Sequence, residues 1–302
     1  MAPRFEPGQL WRMLTERSRS AQASGHLHSI ETATCPLSED GVAFIVRVAA
    51  NLKRKAADKK SHRADFNPFL PPEAPLIVCE ISGTHLAVLN KFNVVNHHLL
   101  LVTRSFEEQQ TLLTAADFAA LWQCLGEYPS VGFYNGGAAA GASQRHKHLQ
   151  LVPLPLYPDA ESNPRPYPFA SILEHDSPVL QSQSLTALPF RHRWCRLPGE
   201  WSGDPAEAAE LAYRRYREML TECGIEALER DGGLCQSAPY NLLMTPDWMF
   251  LIPRSREFCE GISVNGLGYL GSLFVTDPEA LQRLREIGPL RLLAEVSRPQ
   301  AD

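Results

Sequence analysis

Short apolar segments separated by polar turns predict antiparallel strands in the first half of the chain. The segments "GVAFIVRVA" (41–49), "PLIVCEI" (75–81), "HLAVLN" (85–90) and "HHLLLVTR" (97–104) each have the length and composition of one strand. The turn "NKFNVVN" links the last two, and their close spacing favours an antiparallel meander. A further strand, "VGFYN" (131–135), leads into the glycine-rich loop "GGAAAGAS".

Apolar positions at helical spacing predict helices between and around these strands. Residues 5–20 form one such segment, and a second, "TAADFAALWQCLGE", begins with Thr114 as N-cap and an acid three positions later. Residues 204–224 have an aspartate N-cap, a proline at the first helical position and a glycine at the exit. A last helix over 277–296 is expected to be interrupted or kinked near "GPL".

Two sequence blocks recur in the same order and indicate a duplicated unit. "LLVTRSFE" (100–107) resembles "FLIPRSRE" (250–257), and "NGGAAAG" (135–141) resembles "NGLGYLG" (265–271). The repeat predicts an α+β protein of two fused units, each with antiparallel sheets flanked by helices. Only the first glycine loop is followed by a histidine-containing strand, so we expect one site per chain, supported or completed by the second unit.

A proline-rich segment lies between the two copies. Residues 153–178 contain seven prolines, which neither regular sheet nor regular helix accommodates. We therefore predict a crossover here, with an N-terminal unit over 1–180 and a C-terminal unit over 181–302.

Composition narrows the class of protein. The 302 residues are 44% hydrophobic and carry a net charge of −5, which suits a full globular core and argues against a surface that coats nucleic acid. No apolar run approaches the ~20 residues of a membrane span, and the start lacks the apolar centre of a secretory signal. The seven cysteines are scattered without a CxxC pair, as expected for reduced thiols in the cytoplasm.

The segment "HKHLQ" (146–150) carries the candidate chemistry. On a strand, His146, His148 and Gln150 would project from one face, while Lys147 and Leu149 would project from the other. We expect Lys147 to lie at the surface. Three polar groups on one face form a metal-binding row, a catalytic row or a solvated strand edge.

Zinc binding is one of these alternatives. A His-x-His pair on a strand can hold zinc, but the metal needs a third and usually a fourth ligand. Gln150 is a poor ligand, and nothing in the sequence places His97, His98 or His192 beside the pair. We therefore predict no metal ligands in the chain.

Nucleophilic catalysis on phosphorus is a second alternative, and the surrounding residues favour it. A neutral imidazole nitrogen can attack phosphorus when the other ring nitrogen donates to a fixed acceptor. Charge that builds on the phosphoryl oxygens then requires donors already in place, which a glycine loop, a serine and an amide side chain supply. The stretch "NLKRKAADKKSHR" (51–63) adds six basic residues against one acid, either as a phosphate clamp or as a solvated loop.

Four blocks of this sequence resemble one known family. The blocks "NPFLPP" (67–72), "VLNKFNVVNHHLLLVTR" (88–104), "GASQRHKHLQLVPLP" (141–155) and "YNLLMTPDWMFLIPRSRE…VNGLGYLGS" (240–272) resemble the ATP adenylyltransferases. These enzymes are also called diadenosine tetraphosphate phosphorylases. They belong to the histidine triad superfamily, on the branch of galactose-1-phosphate uridylyltransferase. The resemblance covers roughly residues 40–297 in the family's order.

The resemblance implies a fold of histidine-triad-like units and a specific reaction. The family cleaves diadenosine tetraphosphate (Ap4A) reversibly with phosphate to ATP and ADP, and a histidine carries AMP transiently. The nucleophile of the family's H-x-H-x-Q motif maps to His148, and His146 would hold the phosphates or the orientation of the site. Gln150 replaces the third histidine of hydrolytic relatives. An amide cannot act as a base towards water, so transfer to phosphate is favoured.

Other positions that match the family's blocks are implied to bind substrate. They are Lys55, Asn90, Lys91, Asn135, Gly141, Ser143, Gln144, Asn241, Thr245 and Arg256. Lys53 or Arg54 could take the place of Lys55, and Asn90 could instead satisfy a turn. For Asn241, Thr245 and Arg256, a role in a turn or at the surface is equally open. Two departures from the family's pattern, Gly136 and Arg145, affect the fine specificity of the site.

The resemblance also sets expectations for cofactors and partners. Magnesium should accompany the polyphosphate substrate without a dedicated protein cage, and no organic cofactor is expected. The partners are small nucleotides and phosphate, with neither nucleic acid nor membrane. A monomer is expected because a fused pair already contains the contact surface that single units create by dimerising.

Two other functions remain open from the sequence. A sugar-1-phosphate nucleotidyltransferase or nucleotide-sugar phosphorylase would use the same histidine and differ in the acceptor. A module that binds dinucleoside polyphosphates without turnover would need no nucleophile, and the intact H-x-H-x-Q motif argues against it.

Overall fold

The computed structural model describes residues 4–49, 66–157, 165–174, 177–199, 204–230 and 233–300. Its α-helices lie where the apolar spacing predicts helices, except for a four-residue helix, Ala170–Leu173, inside the proline-rich segment, where no regular helix was predicted. They are α1 (Leu10–Ala23), α2 (Ala115–Leu125), α3 (Ala170–Leu173), α4 (Pro205–Glu222), α5 (Pro278–Ile287) and α6 (Pro289–Val296).

Side-chain caps fix where the longer helices begin. Thr114 and Asp117 form a reciprocal capping box at α2. Asp204 caps α4, and Asp277 caps α5. The last predicted helix breaks at Gly288, whose φ of +88° separates α5 from α6. The predicted interruption near "GPL" is therefore confirmed.

One large antiparallel sheet organises the molecule and joins both predicted units. Its strands lie in the order β3 (Ile77–Glu80), β4 (His85–Leu89), β5 (Leu99–Thr103), β7 (His148–Pro153), β6 (Ser130–Gly136), β12 (Tyr240–Met244), β13 (Trp248–Pro253), β9 (Arg193–Arg196) and β8 (Ser182–Gln183). The junction is the β6–β12 pair, in which Tyr240 lies opposite Gly136 and Met244 opposite Gly132.

A second, smaller sheet also combines strands from both predicted units. It consists of β1 (Thr32–Glu39), β2 (Val42–Ala49) and β16 (Ser272–Val275), with β16 parallel to β2. Two short hairpins complete the strands: β10 (Ala227–Arg230) with β11 (Gly233–Gln236), and β14 (Phe258–Cys259) with β15 (Ile262–Ser263). The pattern of apolar positions did not predict β1, because its segment "TATCPLSE" has no apolar run.

The central sheet is buried on both faces, and alternate residues of a strand enter different cores. Leu242 of β12 packs into the core that contains Phe118 of α2 and Tyr216 of α4. Its neighbour Leu243 packs into the core that contains Phe44 of β2 and Leu292 of α6. Both faces of β12 therefore lie against other layers, as expected for a strand with five consecutive buried residues.

The predicted α+β class, with antiparallel sheets flanked by helices, is confirmed. The proposed boundary at 180/181 falls between α3 and β8, and both sheets contain strands from either side of it. Its position stays a prediction. None of the helices in the described ranges has the length and apolar character needed to cross a membrane.

Candidate active site

Polar side chains cross the central sheet on one face, in a line that we call the polar row: His98, Gln150, His148, Asn135 and Asn241. The strand register brings them together. Leu100 lies opposite Gln150 and Val102 opposite His148, which puts His148 and Gln150 on the same face as His98, two residues before Leu100. On the other side, Phe133 lies opposite Gln150, and Asn241 lies opposite Asn135. Most of the surrounding face is apolar core.

His148 is held as a neutral imidazole with a defined proton position. Its Nδ1 lies 2.8 Å from the carbonyl oxygen of His146, so Nδ1–H donates and Nε2 keeps its lone pair. Burial disfavours the charged ring and lowers the pKa of His148 from 6.5 to about 4. The ring nitrogen is therefore available as a nucleophile near neutral pH.

His146 is locked by protein groups at both ring nitrogens. Its Nε2–H donates to the carbonyl oxygen of Thr103 at 2.8 Å, and its Nδ1 accepts from Nδ2 of Asn67 at 2.9 Å. The backbone N–H of Phe69 occupies Oδ1 of Asn67, which fixes the direction of that amide. His146 thus holds the geometry around His148 and has no ring nitrogen left for a phosphate or a metal.

An aromatic side chain covers the two histidines. The Phe69 ring centroid lies 5.7 Å from that of His146 and 5.4 Å from that of His148. Phe69 and Asn67 belong to the "NPFLPP" block, which carried the family resemblance without an assigned role. Asn67 is therefore a site residue that the sequence analysis missed.

Lys147 does not lie at the surface, so that expectation is wrong. Its side chain is fully buried, and its Nζ lies 2.6 Å from Asp117 Oδ2 and 3.0 Å from Glu107 Oε2. The opposite face of the strand is covered by α2, which supplies Asp117. Burial alone would raise the pKa of Asp117, but its hydrogen bond with His85 and the charge of Lys147 lower it to about 2.

The side chain of Gln109 bridges β6 and β7 where they diverge beside the site. Its Oε1 accepts from the backbone N–H of His148 at 2.9 Å. Its Nε2 donates to the carbonyl oxygens of Asn135, at 2.9 Å, and His148, at 3.1 Å. Gln109 is buried and replaces the missing ladder bonds, so it fixes the backbone from which His148 projects. No motif in the sequence pointed to it.

The two repeated glycine loops contact each other. Residues 138–140 and 266–270 form short 3-10 helices, and each ends at a left-handed glycine, Gly141 and Gly271. A Cβ on Gly141 would lie 2.8 Å from Cα of Asn265 and from the carbonyl oxygen of Val264. Glycine is thus required at 141 for both its φ of +89° and the close approach of the second loop.

Three residues connect the C-terminal part of the chain to the polar row. Arg254 Nη1 donates to Asn241 Oδ1 at 2.6 Å, and Asn241 Nδ2 donates to Asn135 Oδ1 at 2.8 Å. The backbone N–H of Gly266 also donates to Asn135 Oδ1, at 3.0 Å. The oxygen of Asn135 is therefore occupied, and its amide N–H2 has no hydrogen-bond partner among the described residues.

Arg254 is the main site residue that the sequence analysis missed in the second half. Its side chain is completely buried, and it also donates to the carbonyl oxygens of Val296, Val264 and Arg256. The signal was present in the repeated "TRSFE" and "PRSRE" blocks, in which Arg254 corresponds to Arg104. The family's blocks instead implied a role for Arg256.

Of the remaining candidates of the first half, Asn90 contacts the polar row directly. Asn90 contacts His98, whose other ring nitrogen contacts Gln150. Lys91 is half-buried, with Nζ 2.9 Å from Glu73. Ser143 is exposed and Gln144 half-buried in the segment that leads to His146. Lys55, with its alternatives Lys53 and Arg54, lies outside the described residues.

Two candidates of the second half are not brought to the polar row. Thr245 follows the far end of β12, four residues or about 13 Å from Asn241, beside a cleft of about 850 Å³ that Trp194 and Trp248 line. Arg256 is half exposed and binds Glu295 of α6, with Nη2 2.6 Å from Oε2. Of the three candidates in that half, only Asn241 reaches the site in this arrangement.

The structure offers little for zinc. No group of three or more histidine, cysteine or acidic side chains with metal-binding geometry occurs in the part of the chain that is described. The residues of the polar row are histidines and amides, with no carboxylate among them. These groups suit donation to phosphoryl oxygens better than coordination of a hard cation.

Comparisons with known proteins agree with this arrangement. Residues 1–174 match the family model of the Ap4A phosphorylase N-terminal domain, and residues 186–299 match the ATP adenylyltransferase C-terminal domain. The chain is 28% identical to diadenosine 5',5'''-P1,P4-tetraphosphate phosphorylase 2 of Saccharomyces cerevisiae, over 88% of this chain and 87% of that protein. It is 24% identical to Protein APA1 of the same yeast, over 93% and 91% of the two chains.

The fold is also similar to solved structures. The crystal structure of yeast Ap4A phosphorylase Apa2 in complex with AMP has a TM-score of 0.78 at 24% identity, with full coverage of both chains. The complex of the same enzyme with Ap4A has a TM-score of 0.76. The predicted family resemblance is thus confirmed by sequence models that together span nearly the whole chain, and the chain belongs to the Ap4A phosphorylase family.

Proposed function

We propose that this chain catalyses the reversible phosphorolysis of Ap4A to ATP and ADP through AMP bound covalently to His148. The observation that carries the proposal is the proton position of His148: Nδ1–H is bound to the His146 carbonyl oxygen, and Nε2 is free to attack. The family membership and the relative named for this activity support the choice of substrate.

The reaction has two steps at the α-phosphorus. In the first, Nε2 of His148 bonds to one α-phosphorus of Ap4A while the bond from that phosphorus to the bridging oxygen breaks, and ATP leaves. In the second, an oxygen of inorganic phosphate attacks the same phosphorus, the P–N bond breaks, and ADP leaves with His148 neutral again. The reverse direction uses the same steps.

Two amide groups are suited to stabilise the charge that develops on the phosphoryl oxygens. The oxygens of Gln150 and Asn135 are both engaged by other side chains, which leaves their N–H2 groups as donors beside His148. Donors that are fixed before the reaction need no reorganisation in the transition state. Gln150 cannot remove a proton from water, and this supports transfer to phosphate over hydrolysis.

The remaining assignments concern the substrate and the setting. We assign Lys55, Lys91, Ser143 and Gln144 to the polyphosphate, which would require Lys91 to exchange Glu73 for phosphate. Magnesium would arrive bound to the substrate, since the polar row has no carboxylate to hold it. Free thiols at all seven cysteines support a cytoplasmic location. The sheets shared by the two halves support a monomer. The division of the chain at 180/181 stays a prediction.

A product assay tests the proposal directly. Purified protein is incubated with Ap4A, magnesium and phosphate, and the products are separated. We expect equal amounts of ATP and ADP, and no turnover when phosphate is omitted. Two ADP, or ATP with AMP, would indicate hydrolysis and contradict the proposal. Turnover only with a hexose-1-phosphate acceptor would indicate a sugar nucleotidyltransferase, and tight binding without products would indicate a binding module.

A further inference from the structure

His98 lies beside Gln150 at the open end of a hairpin. Leu89 of β4 pairs with Leu99 of β5. Asn90 and His98 form the next pair, in which the backbone N–H of Asn90 donates to the His98 carbonyl oxygen at 3.0 Å. Because Leu100 lies opposite Gln150, His98 is the diagonal neighbour of Gln150 on the same face. His98 and Gln150 are each only 8% exposed.

A chain of two hydrogen bonds runs through the His98 ring. Asn90 Nδ2 lies 3.2 Å from His98 Nδ1, and His98 Nε2 lies 3.0 Å from Gln150 Oε1. An amide nitrogen donates, so Nδ1 of His98 accepts and the ring proton is on Nε2, where it donates to Gln150. The Phe133 ring, with its centroid 5.8 Å from that of His98, packs against the imidazole.

The consequence for Gln150 is a fixed orientation of its amide. A glutamine amide can rotate about its last bond and present either its oxygen or its nitrogen to a ligand. With Oε1 bound to His98, the N–H2 group is the part of the Gln150 amide that is left to donate to the phosphoryl group. The opposite orientation would place a carbonyl oxygen against the phosphoryl oxygens and would repel them.

Asn135 shows the same arrangement on the other side of His148. Its oxygen accepts from Asn241 and from the backbone of Gly266, so its N–H2 also remains for the site. The two amides that flank the nucleophile are thus both held with their donors available. For Asn135 the orienting group lies in the C-terminal half, whereas for Gln150 it is His98.

We propose that His98 is a positioning residue that sets the orientation of the Gln150 amide, so that this amide donates to the phosphoryl group transferred to and from His148. This inference rests on the proposed function for its kinetic consequence, although the hydrogen bond itself does not depend on it. His98 acts on the transferred group through Gln150, and Asn90 serves to fix the ring tautomer of His98.

The first experiment reads the hydrogen bond without any turnover. Nuclear magnetic resonance of protein labelled with 15N in histidine identifies the ring tautomer of each histidine, and the His98 signals are assigned by their loss in His98→Phe. We expect a proton on Nε2 of His98 whose resonance shifts in Gln150→Ala. A proton on Nδ1, or no change in Gln150→Ala, would overturn the inference.

The second experiment measures whether His98 acts through Gln150. In His98→Phe, we expect kcat for AMP transfer to fall about 10- to 100-fold, with KM changed less than about threefold. This loss is smaller than the about 100- to 1,000-fold typical of removing a preorganised donor, because the Gln150 amide is still present. His98→Gln, which keeps an amide donor near the Nε2 position, should restore most of kcat. In the Gln150→Ala background, His98→Phe should cost less than about threefold further, because the two changes remove one function.

Each outcome has a separate meaning. Equal losses from His98→Phe in the presence and absence of Gln150 would show a merely structural role and overturn the inference. Failure of wild type to form ATP and ADP would contradict the proposed function instead. In that case the resonance measurement still decides the orientation of Gln150.

Discussion

The buried ion pair beneath the histidines gives the most specific stability prediction. Lys147 lies in the chain between His146 and His148, but its ammonium group contacts Asp117, Glu107 and the carbonyl oxygen of Leu112. We consider Lys147→Met, which keeps most of the volume and removes the charge. Asp117, whose side chain is 1% exposed, would then lose its closest cation.

The structure sets the expected size of the effect. Removing one partner of a buried pair costs about 3–5 kcal/mol, because the other charge stays buried without compensation. The pKa of Asp117, lowered from 3.8 to about 2, corresponds to about 2–3 kcal/mol of stabilisation, shared between Lys147 and His85. We therefore expect Lys147→Met to lower the free energy of unfolding by about 3 kcal/mol at pH 7.

The pH dependence supplies a second measurement. A carboxylate with a lowered pKa stabilises the fold above its unfolded pKa, and this contribution is lost as the pH falls through the folded pKa. The difference between wild type and Lys147→Met should therefore shrink between pH 4 and pH 2, the interval that the Asp117 pKa defines.

Urea unfolding, followed by tryptophan fluorescence and circular dichroism, measures both effects. Arg214→Met is the control, since Arg214 forms an exposed pair with Glu210 that should contribute less than about 1 kcal/mol. A Lys147→Met protein within about 1 kcal/mol of wild type at pH 7, with no pH dependence of the difference, would contradict this prediction.

Three further predictions concern the site. Arg254→Met should reduce the rate of phosphorolysis at least about 100-fold and also lower the free energy of unfolding, because several buried acceptors lose their donor. Arg256→Met at the surface should change neither quantity. Enzyme kinetics measure the rate, and urea unfolding measures the stability. Gly141→Ala should reduce activity, since the new Cβ meets backbone atoms 2.8 Å away. Gly8→Ala is the control, because Gly8 also has a positive φ, +81°, but has open space around it, so the substitution should cost only local strain of about 1 kcal/mol. Equal activity of the two proteins would show that the close approach at Gly141 does not matter. The acid limb of kcat/KM should lie near pH 4 and not near pH 6.5, because burial lowers the pKa of His148 and the neutral imidazole is the form that attacks. Activity should therefore persist at pH 5. Loss of most activity at pH 5, in a protein that circular dichroism shows to be folded, would contradict this prediction.

Local patterns predicted local structure well. The capping signals at Thr114 and Asp204 placed the starts of α2 and α4, and the glycine near "GPL" placed the break between α5 and α6. These features depend on residues within four positions of each other, which a single sequence contains in full. The repeated glycine loops also have the same local form, although their mutual contact could not be read from the sequence.

The burial of Lys147 shows that the alternation of side chains along a strand predicts the face on which a residue lies but not whether that face is buried. Period-two alternation predicts that Lys147 faces away from His146 and His148, and the structure agrees. Whether that second face is solvated depends on what packs against it, and here α2 covers it with Asp117. The pairing of a lysine with an acid thirty positions earlier leaves no local signal.

The supporting residues of the site were missed for the same reason. Gln109, Asn67 and Arg254 each bind a site residue that is distant in the sequence: His148, His146 and Asn241, which are 39, 79 and 13 positions away. Their roles follow from strand order and register, which place separate segments side by side. The motif itself, His148 with Gln150, was visible because both residues lie on one strand.

In the proposed reaction, His148 carries AMP between the two substrates. The direct measurement is to incubate the protein with Ap4A labelled at the α-phosphates, without phosphate, and to map the label on peptides after alkaline denaturation, which preserves a P–N bond. His148→Asn keeps an amide that can donate to the His146 carbonyl oxygen but removes the attacking nitrogen, and Arg214→Met is the surface control. We expect AMP on His148 in wild type and in Arg214→Met, transfer of that label to ADP when phosphate is added, and no label in His148→Asn. Label on another residue, or full phosphorolysis by His148→Asn, would contradict the proposed reaction.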